Sequence, residues 1–295
     1  MSFVNYINEQ ELIDIINILI KSKNNNINYL LYDIFIKILK YDKSIEAIKL
    51  LLQDERLDLS KDEDRAIAYA AELGKTEIVK LLLLDSRVNP NRGWTLQFAV
   101  EKNHVEIVKL LLEDGRADPA YHNNYIIRCA CDNNYTNIIK ILLQDERVDP
   151  SILNNYPFQS VCENGNIEIV DLLLKHPKIN ISNVDNQGFC NACKEGHLDI
   201  VKILLKDKRI TPNNKAFHNA CEHGHFNIIQ LLLKDDRIDP ADSSNLAIRL
   251  ASLHGHIRCV ELLLFDKRVN PKDFNEGALK NAIKNKHIDI IKLLA

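Results

Sequence analysis

The chain has 295 residues, 46% of them hydrophobic and 27% charged, with 38 basic residues against 41 acidic. With only 9 Gly and 8 Pro it is neither collagen-like nor low-complexity, and its near-neutral charge argues against a nucleic-acid binder. Seven Cys, an odd number behind no basic-then-apolar leader, fit a reducing interior better than a disulfide framework.

The first apolar run, from Leu12 to Ile20, carries Asp14 and Asn17. It is far short of the roughly 20 apolar residues that a membrane-spanning helix needs. Residues 1–45 contain neither Gly nor Pro and read as a divergent N-terminal repeat or cap. Within them "IINILI" is a weak copy of a phrase, "IVKLLL", that returns along the rest of the chain. Its third residue falls at Lys49, Lys80, Lys109, Lys140, Asp171, Lys202, Gln230, Glu261 and Lys292. The intervals are 31, 29, 31, 31, 31, 28, 31 and 31 residues, so residues 46–295 are one supersecondary unit repeated.

Residues 123–150 show the unit. Ile127, Ala130 and Cys131 are spaced i, i+3, i+4 and predict a short first helix. Ile138, Ile139, Ile141, Leu142 and Leu143 predict a second, more apolar one. Between them stands Asn134, where other copies have Gly74, Gly165, Gly196, Gly224 and Gly255, the left-handed position that ends a helix. Pro90, Pro119, Pro150, Pro212, Pro240 and Pro271 break the chain after the second helix. An Asn- or Asp-rich pair follows (Asn123-Asn124, Asn154-Asn155, Asp185-Asn186, Asn213-Asn214) and is expected to turn the chain and cap the next helix. The fold class expected is all-α, a solenoid of nine or ten helix-turn-helix repeats joined by short turns.

Segments such as "AFHNACEHGHFNIIQLLL" (216–233) and "WTLQFAVEKNHVEIVKLLL" (94–112) resemble the ankyrin-repeat family from about residue 45 onward. The period is about two residues short of the family's usual 33. "R-V-D-P" also replaces the family's connector, so its β-hairpins are expected to shrink to tight turns. This abbreviated, Ile- and Asn-rich style looks like the arrays encoded by giant amoeba-infecting viruses and by amoebal genomes.

Stacked repeats turn each position into a column. Ala70, Ala99, Ala130, Val161, Ala192, Ala220, Ala251 and Ala282 form a small-residue column that lets two helix layers approach. Beside it run Ala71, Val100, Cys131, Cys162, Cys193, Cys221, Ser252 and Ile283. Neighbouring helices about 8–10 Å apart are too distant for disulfides, so these thiols read as apolar filler. His104, His197, His225, His256 and His287 share the position after the interhelix turn. The resemblance makes them structural, hydrogen-bonding the backbone of the neighbouring repeat. Arg56, Arg87, Arg116, Arg147, Arg209, Arg237 and Arg268 each follow an Asp by two residues and are expected to form partly exposed ion pairs.

No nucleophile–base set, phosphate loop or metal-ligand spacing stands apart from the repeat, so neither enzymatic activity nor a cofactor or metal is expected. The resemblance implies an intracellular, cytoplasmic monomer that binds a protein partner on its concave face, with no nucleic acid or membrane involved. A substrate-recruiting adaptor for a ubiquitin ligase is the alternative; the array running to the last residue without an appendage argues against it. The expected partner-binding residues are Trp94, Tyr125 and Tyr156 at the starts of first helices. Near the interhelix turns they are joined by Glu72, Glu101, Lys102, Asp132, Glu163, Glu195, Glu222, His223 and His254.

Overall fold

A computed structural model describes residues 7–22, 27–41, 44–92, 94–181 and 186–295. Among them every regular element is helical, and none is long and apolar enough to cross a membrane. The chain opens with α1 (Glu9–Lys21), α2 (Asn28–Tyr41) and α3 (Ile45–Leu52). Next come α4 (Lys61–Glu72), α5 (Thr76–Leu83), α6 (Thr95–Glu101), α7 (Val105–Asp114), α8 (Tyr121–Asp132) and α9 (Thr136–Leu142). Five further pairs follow: α10 (Ile152–Asn164) with α11 (Ile167–Leu174), α12 (Gln187–Glu195) with α13 (Leu198–Lys206), and α14 (Asn214–Glu222) with α15 (Phe226–Leu232). The last two are α16 (Asp242–Leu253) with α17 (Ile257–Leu264) and α18 (Asp273–Lys284) with α19 (Ile288–Leu294).

These helices form two compact units, Met1–Ala130 with Tyr135–Asp149, and Cys131–Asn134 with Pro150–Ala295. In the first unit, second helices stack as α1 on α3, α5, α7 and α9, while α2, α4 and α6 make the other layer. In the second, α10, α12, α14, α16 and α18 form one layer and α11, α13, α15, α17 and α19 the other. The sequence explains both layers. Most second helices bury an i, i+1, i+4 triplet such as Ile169, Val170 and Leu173, all inaccessible to solvent; α5 and α19 bury only part of it. Each first helix turns its small column inward, with Ala130, Ala192, Ala220 and Ala251 fully buried. Cys131, Cys162, Cys193 and Cys221 are buried beside them as free thiols, and burial pushes Cys162, Cys193 and Cys221 above the usual thiol range.

Three backbone devices tie neighbouring repeats together within the units. The first is the histidine: Nε2 of His104, His197, His225, His256 and His287 donates to the carbonyls of Glu72, Glu163, Lys194, Glu222 and Leu253 at 2.7–3.0 Å. The second is the arginine, which does more than the expected ion pair. Arg87 holds Asp85 at 2.6 Å and also donates to the carbonyls of Leu52, Asp54 and Leu57 one repeat back. Arg116 and Arg209 reach Leu83 and Val88, and Leu174 and Ile179, in the same way. Such bonds satisfy the orphan carbonyls at the end of the preceding second helix.

The third device corrects the expectation for the Asn pairs. Only Asn213 caps its helix, accepting from the Ala216 amide at 2.9 Å. At four other connectors, which the ranges of α8, α10, α16 and α18 take in at their starts, three successive residues lie in the left-handed region: His122 to Asn124, Leu153 to Asn155, Ser243 to Asn245, and Phe274 to Glu276. Asn tolerates that region better than most side chains because its short amide bonds locally. The amides of Asn124 and Asn245 turn forward and accept from the backbone of Asp149 and Asn270 at 2.7 Å, 25 residues on. Asp185 lies outside the described residues. The connectors are thus tight turns, with no strand among the described residues.

Candidate functional site

Trp94 opens α6 in the left-handed conformation, φ 66°, and is 48% exposed. Its ring meets Tyr121 edge-on at 6.4 Å and His122 at 5.3 Å, while Tyr121 stacks flat on His122 at 4.1 Å. The other two rings of its column point backward instead. The Tyr125 hydroxyl donates to Glu101 at 2.8 Å, and the Tyr156 hydroxyl to Asp132 at 3.3 Å. Glu101 also accepts from Gln97, and Asp132 from the Ser160 hydroxyl at 2.5 Å. The carboxylate of Glu101, with burial second, holds the Tyr125 phenol protonated well above its ordinary range.

The remaining expected residues do not converge on one spot. Glu163 accepts weakly from Asn191 at 3.4 Å, and Glu195 pairs with Lys194 at 2.7 Å, which keeps its carboxyl below the usual range. His223 donates through Nδ1 to the Asn219 carbonyl, and His254 stands 3.9 Å from Glu222. Lys102 is exposed, and Glu72 contributes its carbonyl to His104. The set divides between the two units: Glu72, Trp94, Glu101, Lys102 and Tyr125 in the first, the others in the second.

What sequence reasoning missed is a pocket of about 380 Å³ in the first unit. Two successive connectors line it, with Arg92 and Trp94 from one and Asp118 and Tyr121 from the next. Its apolar base includes Leu96, Ala117 and Ile126, all buried, and Tyr125 adds a third ring. Tyr121 carried a signal that column-by-column reading does not weigh. It is an aromatic side chain in a connector, one repeat on from the only tryptophan. Among the described residues no group of three or more His, Cys, Asp or Glu side chains is placed to hold a metal ion.

Acid is expected to weaken the fold in two steps. Burial lowers His218 and His225 below their ordinary value of 6.5, so the folded state resists a proton that the unfolded chain accepts. Their stabilisation is therefore present above pH 6.5 and is lost as pH falls through the folded values. Asp54, Asp85, Asp114, Asp145, Asp207, Asp235 and Asp266 are lowered from 3.8, chiefly by hydrogen bonds from their arginines. That contribution is lost only below pH 3.8. A melting temperature flat between pH 4 and 6.5 would contradict the histidine step, and His218→Gln should shrink it.

A family model described as ankyrin repeats in three copies matches residues 34–123, 126–216, 189–275 and 217–295. No curated protein matches the chain.

Proposed function

The chain belongs to the ankyrin-repeat family, a protein–protein interaction module, and on that premise we propose a non-enzymatic scaffold that binds one partner protein. The partner lies along the face that carries the first-helix starts and interhelix turns, the side that is concave in the family. One observation carries this reading: Trp94 and Tyr121, 48% and 57% exposed, stand together over an open pocket. Large rings held rigidly at a surface supply contact area at little entropic cost, and Trp and Tyr are enriched at interface hot spots. Residues 1–45 act as a cap to the binding array of 46–295, with α1 covering α3.

The test uses Trp94→Ala with Tyr121→Ala. Neither side chain hydrogen-bonds within the fold among the described residues, so helicity and melting temperature are expected to hold. Affinity capture from the native cell, read by mass spectrometry, should then lose the partner that the unaltered protein retains. Undiminished capture by the folded double variant would sink the proposal.

A further inference from the structure

The Asp that precedes each column arginine is neutralised: Asp54, Asp85, Asp114, Asp145, Asp207, Asp235 and Asp266 all sit 2.6–2.7 Å from a guanidinium. Asp118 and Glu101 differ. Asp118 accepts only from the Ala120 amide, and Glu101 only from Gln97 and the Tyr125 hydroxyl; no cation pairs with either among the described residues. Asp118 lines the aromatic pocket, and Glu101 holds the tyrosine that lines it. Three nearby cations are already engaged. Arg147, whose charge Asp118 also favours, pairs with Asp145 at 2.6 Å and donates to the carbonyls of Gly115 and Ala117. Arg92 stands 4.0 Å from Asp64, whose carboxylate is buried with Oδ2 free of hydrogen bonds. Arg128 lies 5.5 Å from the Tyr125 ring and is tied to the carbonyls of His122 and Asn123. Four carboxylates, Asp64, Glu101, Asp118 and Asp145, against three guanidiniums leave the surroundings acidic.

We propose that this pocket takes one arginine side chain from an extended segment of the partner, its guanidinium against Trp94 and Tyr121 and ion-paired with Asp118. Aromatic faces attract cations, and two rings at 88° form a corner rather than a flat platform. His122 covers one face of Tyr121, so the ring offers its other face. A planar guanidinium can stack on a ring and grip a carboxylate at once, which a lysine ammonium does not. The volume, about 380 Å³, is at the low end of ligand sites, roughly 300–1,000 Å³, and suits one long side chain rather than a folded element. The inference rests on the interaction-surface reading and names what that surface recognises.

The chain holds a single tryptophan, so the emission of Trp94 reports on this pocket alone. The probe is the blocked tripeptide acetyl-Ala-Arg-Ala-amide, titrated into the intact protein beside its citrulline counterpart, which keeps the shape and loses the charge. A saturable change is expected with arginine, weakened about fivefold or more by citrulline and, likewise, by Asp118→Asn. Asn preserves the turn, because Asn89 and Asn270 accept the same backbone bond in their own connectors. Equal response to both peptides, or no saturable response at millimolar concentration, overturns the arginine assignment. Undiminished partner capture by the folded Trp94→Ala, Tyr121→Ala double variant would instead overturn the surface reading, so the two failures are told apart.

Discussion

Leu173→Asp is expected to split unfolding into two transitions. Leu173 is fully buried on α11 in the second unit, one turn on from Ile169 and Val170 on the same helix face. The substitution removes a large apolar side chain and places an unpaired charge where nothing can solvate it. Removing the leucine side chain alone costs about 2–5 kcal/mol, and the stranded charge adds to that. Repeats contact mainly their neighbours, so the loss stays local rather than spreading along the array. Trp94 lies in the first unit and reports on that unit only, whereas helical circular dichroism reports on both. In denaturant the ellipticity should become biphasic while the fluorescence midpoint hardly moves. One shared transition, merely shifted, would mean that the array unfolds as a single block.

The second large effect is expected at Gly196→Ala, and the reason is a ring rather than the turn alone. Gly196 has φ +82°, and a Cβ built there would stand 2.5 Å from the His225 ring. That ring makes the 2.7 Å bond to the Lys194 carbonyl, so the alanine must displace it. Left-handed strain of about 1–2 kcal/mol and a lost bond of about 1–3 kcal/mol give roughly 2–5 kcal/mol together. Gly115→Ala is the control. Its φ is +80°, yet nothing lies within 4 Å of its added Cβ, so it carries the strain alone. Melting temperatures should fall clearly further for Gly196→Ala; equal losses would mean that the ring contact contributes nothing.

That pairing shows what was legible in the sequence. The period, the small column, the Gly positions and the histidines could each be read from one column at a time. Glycine faces histidine one repeat on at Gly74 and His104, and at Gly165 and His197. Where the next repeat offers Tyr135 or Asn166 instead, the turn residues are Asn103 and Asn134, still left-handed at φ 58° and 57°. The rule spans two repeats, so a single column hides it. The same holds for the arginine bonds, whose acceptors are main-chain carbonyls and leave no mark on residue identity. The candidate site was less legible. Trp94, Tyr125 and Tyr156 share a column, but the tyrosines spend their hydroxyls on Glu101 and Asp132 within the fold. Trp94 finds its partners in a connector that periodicity treats as spacer.

The ties between repeats also bear on how the chain is made. The histidine, arginine and asparagine bonds described above join residues between 25 and 35 positions apart. Each closes a loop of about one period, and none waits for a distant stretch of sequence. Closing short loops costs little entropy, and chains dominated by such contacts fold fast. As the chain leaves the ribosome, each helix pair can therefore be fastened once the next pair has emerged. The nascent protein then shows an unfinished apolar surface only at its growing end.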